Sequence, residues 1–198
     1  MKFDPNKILK FGAVSGIALP VLFGIVLTVT ISLNPWFSFY KNALSDLGSL
    51  KVPTRCVFNC GLILMGLFGI LFSLATVGYF KSPALHIFTV AMAFLIAVGI
   101  FPEEYGRAHS IPAALFYILS LTGIFYAGIL LKKRGELWFS TFSIAGSVVA
   151  FVLMVLTVGK TGLAIPEMIG AVFILSWIVT LSYKMLKGVK EIRTKARS

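Results

Sequence analysis

Residues 56–101 read CVFNCGLILMGLFGILFSLATVGYFKSPALHIFTVAMAFLIAVGIF, and this stretch decides the fold class. It contains one charged residue, Lys81, which lies between two long apolar runs. Each run comes close to the roughly 20 residues that an α-helix needs to cross the hydrocarbon core of a bilayer. Neither run alternates between apolar and polar residues, as the strands of a membrane barrel would. The stretch therefore predicts two membrane-spanning helices, near 56–80 and 83–101.

Four more apolar runs of similar length flank this pair. The first is too long for the apolar core of a signal peptide, and no small-residue cleavage site follows it, so we expect it to stay in the mature protein. The sequence thus predicts an all-α, polytopic integral membrane protein that forms a single domain over residues 1–198 and ends in a basic tail at 187–198. With the first pair, these runs make six transmembrane helices. The four additional helices lie near 8–33, 110–131, 137–158 and 164–186.

The composition supports this class. Hydrophobic residues make up 58% of the 198-residue chain and charged residues 13%, against roughly 45–50% and about 25% in soluble domains. The mean hydropathy is +0.95. A soluble domain of this size could not bury so much apolar surface, which excludes a disordered chain, a disulfide scaffold and a cytosolic enzyme. Gln is absent and Asn is rare, a composition typical of heat-adapted proteins.

The formal net charge of +11 comes from basic residues at the ends of the apolar runs and in the tail. This distribution is typical of the positive-inside rule and of contact with anionic lipids, and it does not indicate nucleic-acid binding. Most of the basic residues fall on the side of the two termini. We therefore expect both termini in the cytoplasm and the protein in the cell membrane. The basic residues on the other side are Lys41, Lys51, Arg55, Arg107 and Lys160.

We call the connections on the side away from the termini the outer connections. They carry more kinds of polar and charged side chain than the connections on the other side, so we expect any functional site there. The longest connection, residues 34–55, places the apolar side chains between Trp36 and Leu47 on one broad helical face. This pattern predicts a short amphipathic helix over 36–47 at the outer interface, ended by Gly48. Asp46 would then lie unfavourably near the helix C-terminus. We expect either a solvated carboxylate or a basic partner, which would be Arg55, Arg107 or Lys160.

The same connection carries a family resemblance. Ala43-Leu44-Ser45-Asp46-Leu47-Gly48, then Phe58-Asn59-Cys60-Gly61 at the start of the second span, and Phe101-Pro102 followed by His109 resemble the motifs of a family of six-span membrane proteins. That family is common in archaea and is classified only as a domain of unknown function. The resemblance implies the six-span topology and an outer cluster, and it supplies no reaction. The positions that it marks are Ser45, Asp46, Asn59 and His109.

Asn59, Glu167 and the two cysteines have alternative interpretations. Asn59 lies within the second span, where its amide would form an interhelical hydrogen bond, or would orient a ligand or the loop that carries Asp46. Glu167 follows Pro166, which suits an ordinary helix start or a carboxylate facing a cavity. Cys56 and Cys60 are four residues apart, a poor spacing for a disulfide in a helix. They are interpreted as ordinary buried thiols, with a metal pair beside His109 as the alternative.

Several kinds of chemistry are excluded. The two histidines, His86 and His109, flank the third span on opposite sides of a core about 30 Å thick, which excludes a three-histidine zinc site and a bis-histidine haem site. The chain has no phosphate-binding loop, no dinucleotide-binding glycine pattern and no His-Glu-x-x-His motif. We therefore predict no cofactor and no metal.

Two functional classes remain. The favoured one is a non-enzymatic membrane protein with an outward-facing polar cavity that binds a lipid head group or a small solute, in a transport-like role. The alternative is a membrane hydrolase or transferase acting on lipid, with Ser45, His109 and either Asp46 or Glu104 as its catalytic set. The partners expected are membrane lipids and one lipid or small-molecule ligand, without nucleic acid, and no oligomeric state is predicted. The residues expected to converge on the cavity are Ser45, Asp46, Asn59, Glu103, Glu104, Arg107, His109 and Glu167.

Overall fold

The computed structural model describes residues 5–195, and this part of the chain is built from long α-helices. Six helical segments are long and apolar enough to cross a membrane, which confirms the all-α six-span fold class. The third segment includes a short 3₁₀ turn, Pro83–Leu85, ahead of its α-helix. In chain order the α-helices are α1 Pro5–Ser32, α2 Arg55–Phe80, α3 His86–Ile100, α4 Arg107–Lys133, α5 Leu137–Thr157 and α6 Ala164–Lys195.

Helices α2 and α4, which end on the side of the termini, are each followed by a residue in the left-handed conformation. Lys81 adopts φ 53° after α2, and its backbone N–H donates to the carbonyl oxygens of Gly78 and Val77. Gly135 takes φ 77° in the short link between α4 and α5. Left-handed residues satisfy the free carbonyl groups at a helix end, and they let the chain reverse within a few residues. These links make sequence neighbours antiparallel.

Each helix packs mainly against its neighbours in the sequence, and α1 also packs against α6. The six helices therefore form a closed ring in which α5 contacts α4 and α6. Gly16 of α1 lies at a close crossing, because a Cβ atom there would come within 2.2 Å of Ser182 Oγ and 2.6 Å of Phe72. Small residues at such crossings let helix backbones approach closely in lipid.

An aromatic cluster fills the core toward the side of the termini. Trp177 of α6 is 1% exposed, and its ring contacts those of Phe72, Phe88 and Phe139 at centroid distances of 5.9–6.2 Å. Its indole N–H donates to Ser143 Oγ at 2.9 Å. The hydrogen bond satisfies a polar group that would otherwise be costly in the interior. This cluster joins α2, α3, α5 and α6 in one packed core.

The outer connection between α1 and α2 differs from the prediction. Residues 36–47 do not form one helix; a 3₁₀ helix spans only Leu44–Gly48, and turns precede it. Asn42 Oδ1 accepts a hydrogen bond from the Ser38 N–H, and the Ser38 carbonyl oxygen accepts from the Asn42 N–H. These local bonds compete with a regular helix. We call Leu44–Gly48 the roof helix.

The roof helix packs into the bundle rather than lying on a lipid surface. Leu44 is 6% exposed and Leu47 is fully buried, and both belong to a cluster with Phe58 of α2 and Ala164 of α6. The apolar face that suggested an interfacial helix is therefore buried against protein. Backbone hydrogen bonds from Gly162 and Ala164 to Tyr40 and Asn42 join this connection to the one between α5 and α6.

The last helix overlaps the predicted basic tail, and a few residues at each end of the chain are not described. Helix α6 continues through Lys195, so the backbone of most of the predicted tail at 187–198 is helical. Residues 1–4, which include Lys2, and residues 196–198 lie outside the described residues.

Candidate functional site

A cavity of about 90 Å³ lies beneath the roof helix, among α1, α2, α3, α4 and α6. Most of its wall is apolar, with Leu19, Phe23, Met65, Met92 and Ile178 among the lining side chains. The polar side chains that line it are Ser45, His109, Tyr117 and Glu167. The cavity is thus an apolar space with a few polar groups, in contrast to the polar cavity expected from the sequence.

These polar side chains come from three separate elements that meet at the outer connections. Ser45 lies in the roof helix, His109 in the first turn of α4 and Glu167 in the first turn of α6. The Tyr117 hydroxyl donates to the backbone carbonyl oxygen of Glu167 at 3.1 Å, which joins α4 to α6. The polar groups therefore gather near one end of the cavity, and the apolar wall continues away from them.

His109 is held in one orientation. The side chain is 9% exposed, and its Nδ1 lies 2.7 Å from the backbone carbonyl oxygen of Phe101. Because a carbonyl oxygen can only accept, Nδ1 carries the hydrogen in this contact. In the neutral ring, Nε2 is then an acceptor, and it has no hydrogen-bond partner among residues 5–195. His109 thus offers the cavity a single acceptor nitrogen.

Glu167 holds the roof helix in place. Its Oε2 accepts a hydrogen bond from the Leu44 backbone N–H at 2.6 Å. A carboxylate in the first turn of α6 is also favourable for that helix, because it lies at the positive end of the helix dipole. The side chain is half-buried and lines the cavity. One residue therefore fixes the roof and contributes a carboxyl group to the site.

Asp46 has partners other than those expected. Its Oδ2 accepts from Asn42 Nδ2 at 2.8 Å and from the Ala43 backbone N–H at 3.1 Å. The predicted basic partners are wrong within the described chain: Arg55 donates to the Leu50 carbonyl oxygen, and neither Arg107 nor Lys160 forms an ion pair there. The reason is that Asp46 lies near the start of a short helix, where its carboxylate accepts from the backbone N–H of Ala43, the residue before the helix.

Glu103, in the link between α3 and α4, forms a carboxyl pair with Asp46. Burial raises the pKa of Glu103 from its ordinary value of 4.5 to about 7; a hydrogen bond with Asp46 and the charges of Asp46, Glu104 and Glu167 add to the rise. A like charge nearby disfavours ionisation of Glu103. The roof helix is therefore joined to the α3–α4 link through a pair of carboxyl groups.

Glu104 and Asn59 hold the outer connection from outside the cavity. Glu104 Oε1 accepts from Ser49 Oγ at 2.5 Å and from the Leu50 N–H at 2.8 Å, and the Ser49 hydrogen bond lowers the pKa of this exposed carboxyl. Asn59 Nδ2 donates to the Gly48 carbonyl oxygen at 2.8 Å. Neither side chain lines the cavity. The hydrogen bond of Asn59 therefore anchors the roof helix to α2.

The expected site residues thus separate into three groups. Ser45, His109 and Glu167 line the cavity, whereas Asp46 and Glu103 pair beside the roof helix. Asn59 and Glu104 anchor the connection, and Arg107 is exposed and lines no part of the cavity.

Sequence reasoning missed Tyr117. The signal that could have found it is helical periodicity, because Tyr117 follows His109 by eight residues and therefore shares its face of α4.

The cysteines also differ from expectation. Cys56 and Cys60 are free thiols and both are exposed, so their interpretation as buried thiols is wrong. They lie on the face of α2 that points away from the other helices. No group of three or more His, Cys, Asp and Glu side chains that could hold a metal ion occurs among residues 6–189, whose side chains the structure describes.

Comparison with known proteins places the chain in a family. No curated protein and no solved structure matches it. A family model matches residues 17–184, which confirms the resemblance to a family of unknown function noted in the sequence. The chain therefore belongs to the family described as Protein of unknown function (DUF998).

Proposed function

We propose that this membrane protein binds a single-chain amphiphile. The part of its apolar chain nearest the head group would occupy the cavity, and its head group would lie beside Ser45, His109 and Glu167. The observation that carries the proposal is the composition of the cavity wall, which is apolar except for these polar groups and Tyr117. A ligand that complements such a wall is apolar along its length and polar at one end.

The volume of the cavity favours a slender ligand. At about 90 Å³ it exceeds several-fold the roughly 10–15 Å³ that a single water molecule needs, and an apolar cavity of this kind tends to stay dry. It is much smaller than the roughly 300–1,000 Å³ of typical small-molecule pockets. A bulky polar solute therefore fits poorly, which makes lipid binding a better candidate than solute transport.

The proposal includes a location and an orientation. The six helices would cross the cell membrane with both termini in the cytoplasm, because the basic residues concentrate on that side. The roof helix and the polar end of the cavity would then face outward. The family resemblance and the scarcity of Gln and Asn favour a heat-adapted archaeal membrane as the setting.

The test fills the cavity. Ala171 lines it, so Ala171→Phe should reduce binding of 1-dodecanol about tenfold or more, measured by native mass spectrometry of protein released from neutral maltoside micelles. The matched control is Ala145→Phe, which adds the same side chain to an exposed position of α5 and should bind like the wild type. If the wild type retains no 1-dodecanol, or if both variants bind like it, the proposal is wrong.

A second candidate is hydrolysis or acyl transfer at the same cavity. Ser45 and His109 both line it, and the tautomer of His109 leaves Nε2 as the acceptor that a general base requires. Against this, no hydrogen bond joins Ser45 to His109 in the described chain, and the Asp46 carboxylate is used in the roof helix. Hydrolysis of p-nitrophenyl dodecanoate by the wild type that Ser45→Ala abolishes would establish the enzyme instead.

A further inference from the structure

We infer that the polar end of the cavity selects a head group that donates hydrogen bonds, above all a primary amine, and rejects carboxylate and phosphate head groups. The inference rests on the proposed function, because it names the class of amphiphile that the same cavity would take. The juxtaposition that carries it is the pair His109 and Glu167, two acceptor side chains at one end of an apolar space.

The acceptors at this end outnumber the donors. His109 is nine-tenths buried, its Nδ1 is bonded to the Phe101 carbonyl oxygen, and its Nε2 has no partner among the described residues. Glu167 uses Oε2 for the Leu44 N–H, and within residues 5–195 its Oε1 accepts no hydrogen bond. The Tyr117 hydroxyl is already donating to the Glu167 backbone. Ser45 is then the one remaining side-chain donor of the lining.

An ammonium group matches this arrangement. It offers three N–H donors and no acceptor, and the cavity end offers Glu167 Oε1, His109 Nε2 and the Ser45 hydroxyl oxygen as acceptors. Hydrogen bonds between an ammonium and a carboxylate are among the stronger ones in proteins. A hydroxyl head group could satisfy one acceptor at most, so it should bind more weakly than the amine.

The carboxyl groups around the cavity also disfavour an anionic head group. Among the described residues, no Lys or Arg lines the cavity. Asp46 of the roof helix and Glu103 and Glu104 of the α3–α4 link add carboxyl groups around Glu167. Two of the basic side chains on this side are engaged elsewhere, since Arg55 donates to the Leu50 carbonyl oxygen and Lys51 lies beside Glu104, and Arg107 is exposed and lines no part of the cavity. An anionic head group would lose its hydration and meet like charge.

The experiment compares four amphiphiles with the same alkyl chain. Dodecylamine, 1-dodecanol, dodecanoate and dodecyl phosphate compete for the wild type in neutral maltoside micelles at about pH 8, where an alkylamine is charged. Native mass spectrometry gives the bound fractions. We expect dodecylamine to bind about tenfold or more tightly than 1-dodecanol, and both anions to bind more weakly than the alcohol.

Two variants locate the selectivity. Glu167→Gln keeps an oxygen for the Leu44 N–H but removes the charge, so it should remove the preference for the amine while 1-dodecanol still binds. Glu104→Gln is the matched control, because this exposed carboxylate lies on the same side and does not line the cavity. It should leave the preference within about twofold of the wild type.

The outcomes are distinguishable from one another. If 1-dodecanol binds but dodecanoate or dodecyl phosphate binds as tightly as dodecylamine, the inference is wrong and the proposed function stands. If no dodecyl amphiphile binds, the proposed function fails and the inference fails with it. If Glu104→Gln removes the preference as fully as Glu167→Gln does, the selectivity comes from the general acidity of the outer side and not from the cavity. Wild-type selectivity is measured even if Glu167→Gln does not fold.

Discussion

The Glu167 carboxylate and the Leu44 backbone N–H form a hydrogen bond of 2.6 Å across 123 positions of the sequence. It joins the first turn of α6 to the first residue of the roof helix. Because Glu167 also lines the cavity, the residue that contributes a carboxyl group to the cavity is the one that positions the roof above it. A change at Glu167 should therefore affect stability and binding together.

The first prediction concerns this bond. Glu167→Ala leaves the Leu44 N–H without its acceptor and should lower the free energy of unfolding by about 1.5–3 kcal/mol, the usual range for a hydrogen bond to a charged group. Glu167→Gln can still accept and should cost less than half as much. Thermal unfolding in maltoside micelles measures both changes. Equal stability of the two variants would show that the bond contributes little.

The second prediction concerns the contact between Gly48 and Asn59. A Cβ atom at position 48 would come within 2.3 Å of Asn59 Oδ1 and 2.7 Å of Phe58 Cδ1. Gly48→Ala should therefore displace the Asn59 amide and cost about 1–3 kcal/mol in unfolding free energy. Asn59→Ala removes the same bond, so the double variant should cost less than the sum of the two single variants.

The control for that experiment is Gly24→Ala. Gly24 lies in α1, and nothing outside its own stretch of helix lies within 4 Å of the position that a Cβ atom would take. The substitution should therefore be neutral or slightly stabilising through helix propensity. Additive costs in the Gly48 and Asn59 double variant would show that the two residues act independently.

The third prediction is a pH dependence. The pKa of Glu103 is raised to about 7 in the folded protein, so the folded state holds a proton that the unfolded chain releases above its ordinary pKa of 4.5. The stability from this group is complete below the ordinary value and is lost as the pH rises through about 7. Because the side chain is partly exposed, the loss should be on the order of 1 kcal/mol or less.

The measurement is the unfolding temperature between about pH 5 and about pH 8, which should fall more in the wild type than in Glu103→Gln. Glu104→Gln is the control. The pKa of Glu104 is lowered, so its contribution has the opposite sign and is lost as the pH falls. This variant should keep the decline toward high pH. A Glu103→Gln profile parallel to that of the wild type would contradict the assignment.

The fourth prediction is the orientation in the membrane. In a background with Cys56→Ala and Cys60→Ala, a cysteine at the exposed position Lys51 should react with a membrane-impermeant maleimide on intact cells. A cysteine at the exposed position Lys133 should react only after the membrane is permeabilised. The reason is the concentration of basic residues on the side of the termini. Labelling of position 133 but not position 51 on intact cells would reverse the orientation.

The spans were predictable because they depend on local sequence. A run of about 20 apolar residues must satisfy its own backbone in lipid, and an α-helix does so without help from distant residues. The runs around Lys81 therefore predicted α2 and α3 without knowledge of what they pack against. The motif around Ser45 and Asp46 likewise indicated the family and the side of the molecule on which polar side chains gather.

The outer connection was not predictable in the same way. The pattern of Trp36 to Leu47 is that of an amphipathic helix, yet Asn42 and Ser38 form turns, and Leu47 is fully buried against the bundle. An apolar face is stabilised by lipid or by protein, and the sequence alone does not distinguish these two. Cys56 and Cys60 were predicted to be buried, yet both thiols are exposed. The sequence alone does not show which face of α2 the other helices cover.

The sequence by itself determined the six helices and the polar character of one side of the membrane, because the length and polarity of each segment select its solvent. Only the tertiary structure decided which polar groups meet. The pairing of Asp46 with Glu103 and of Glu167 with Leu44 brings together residues far apart in the chain. These contacts, and the apolar cavity beneath them, depend on how α1, α2, α3, α4 and α6 pack around a common interior, a property that no local pattern encodes.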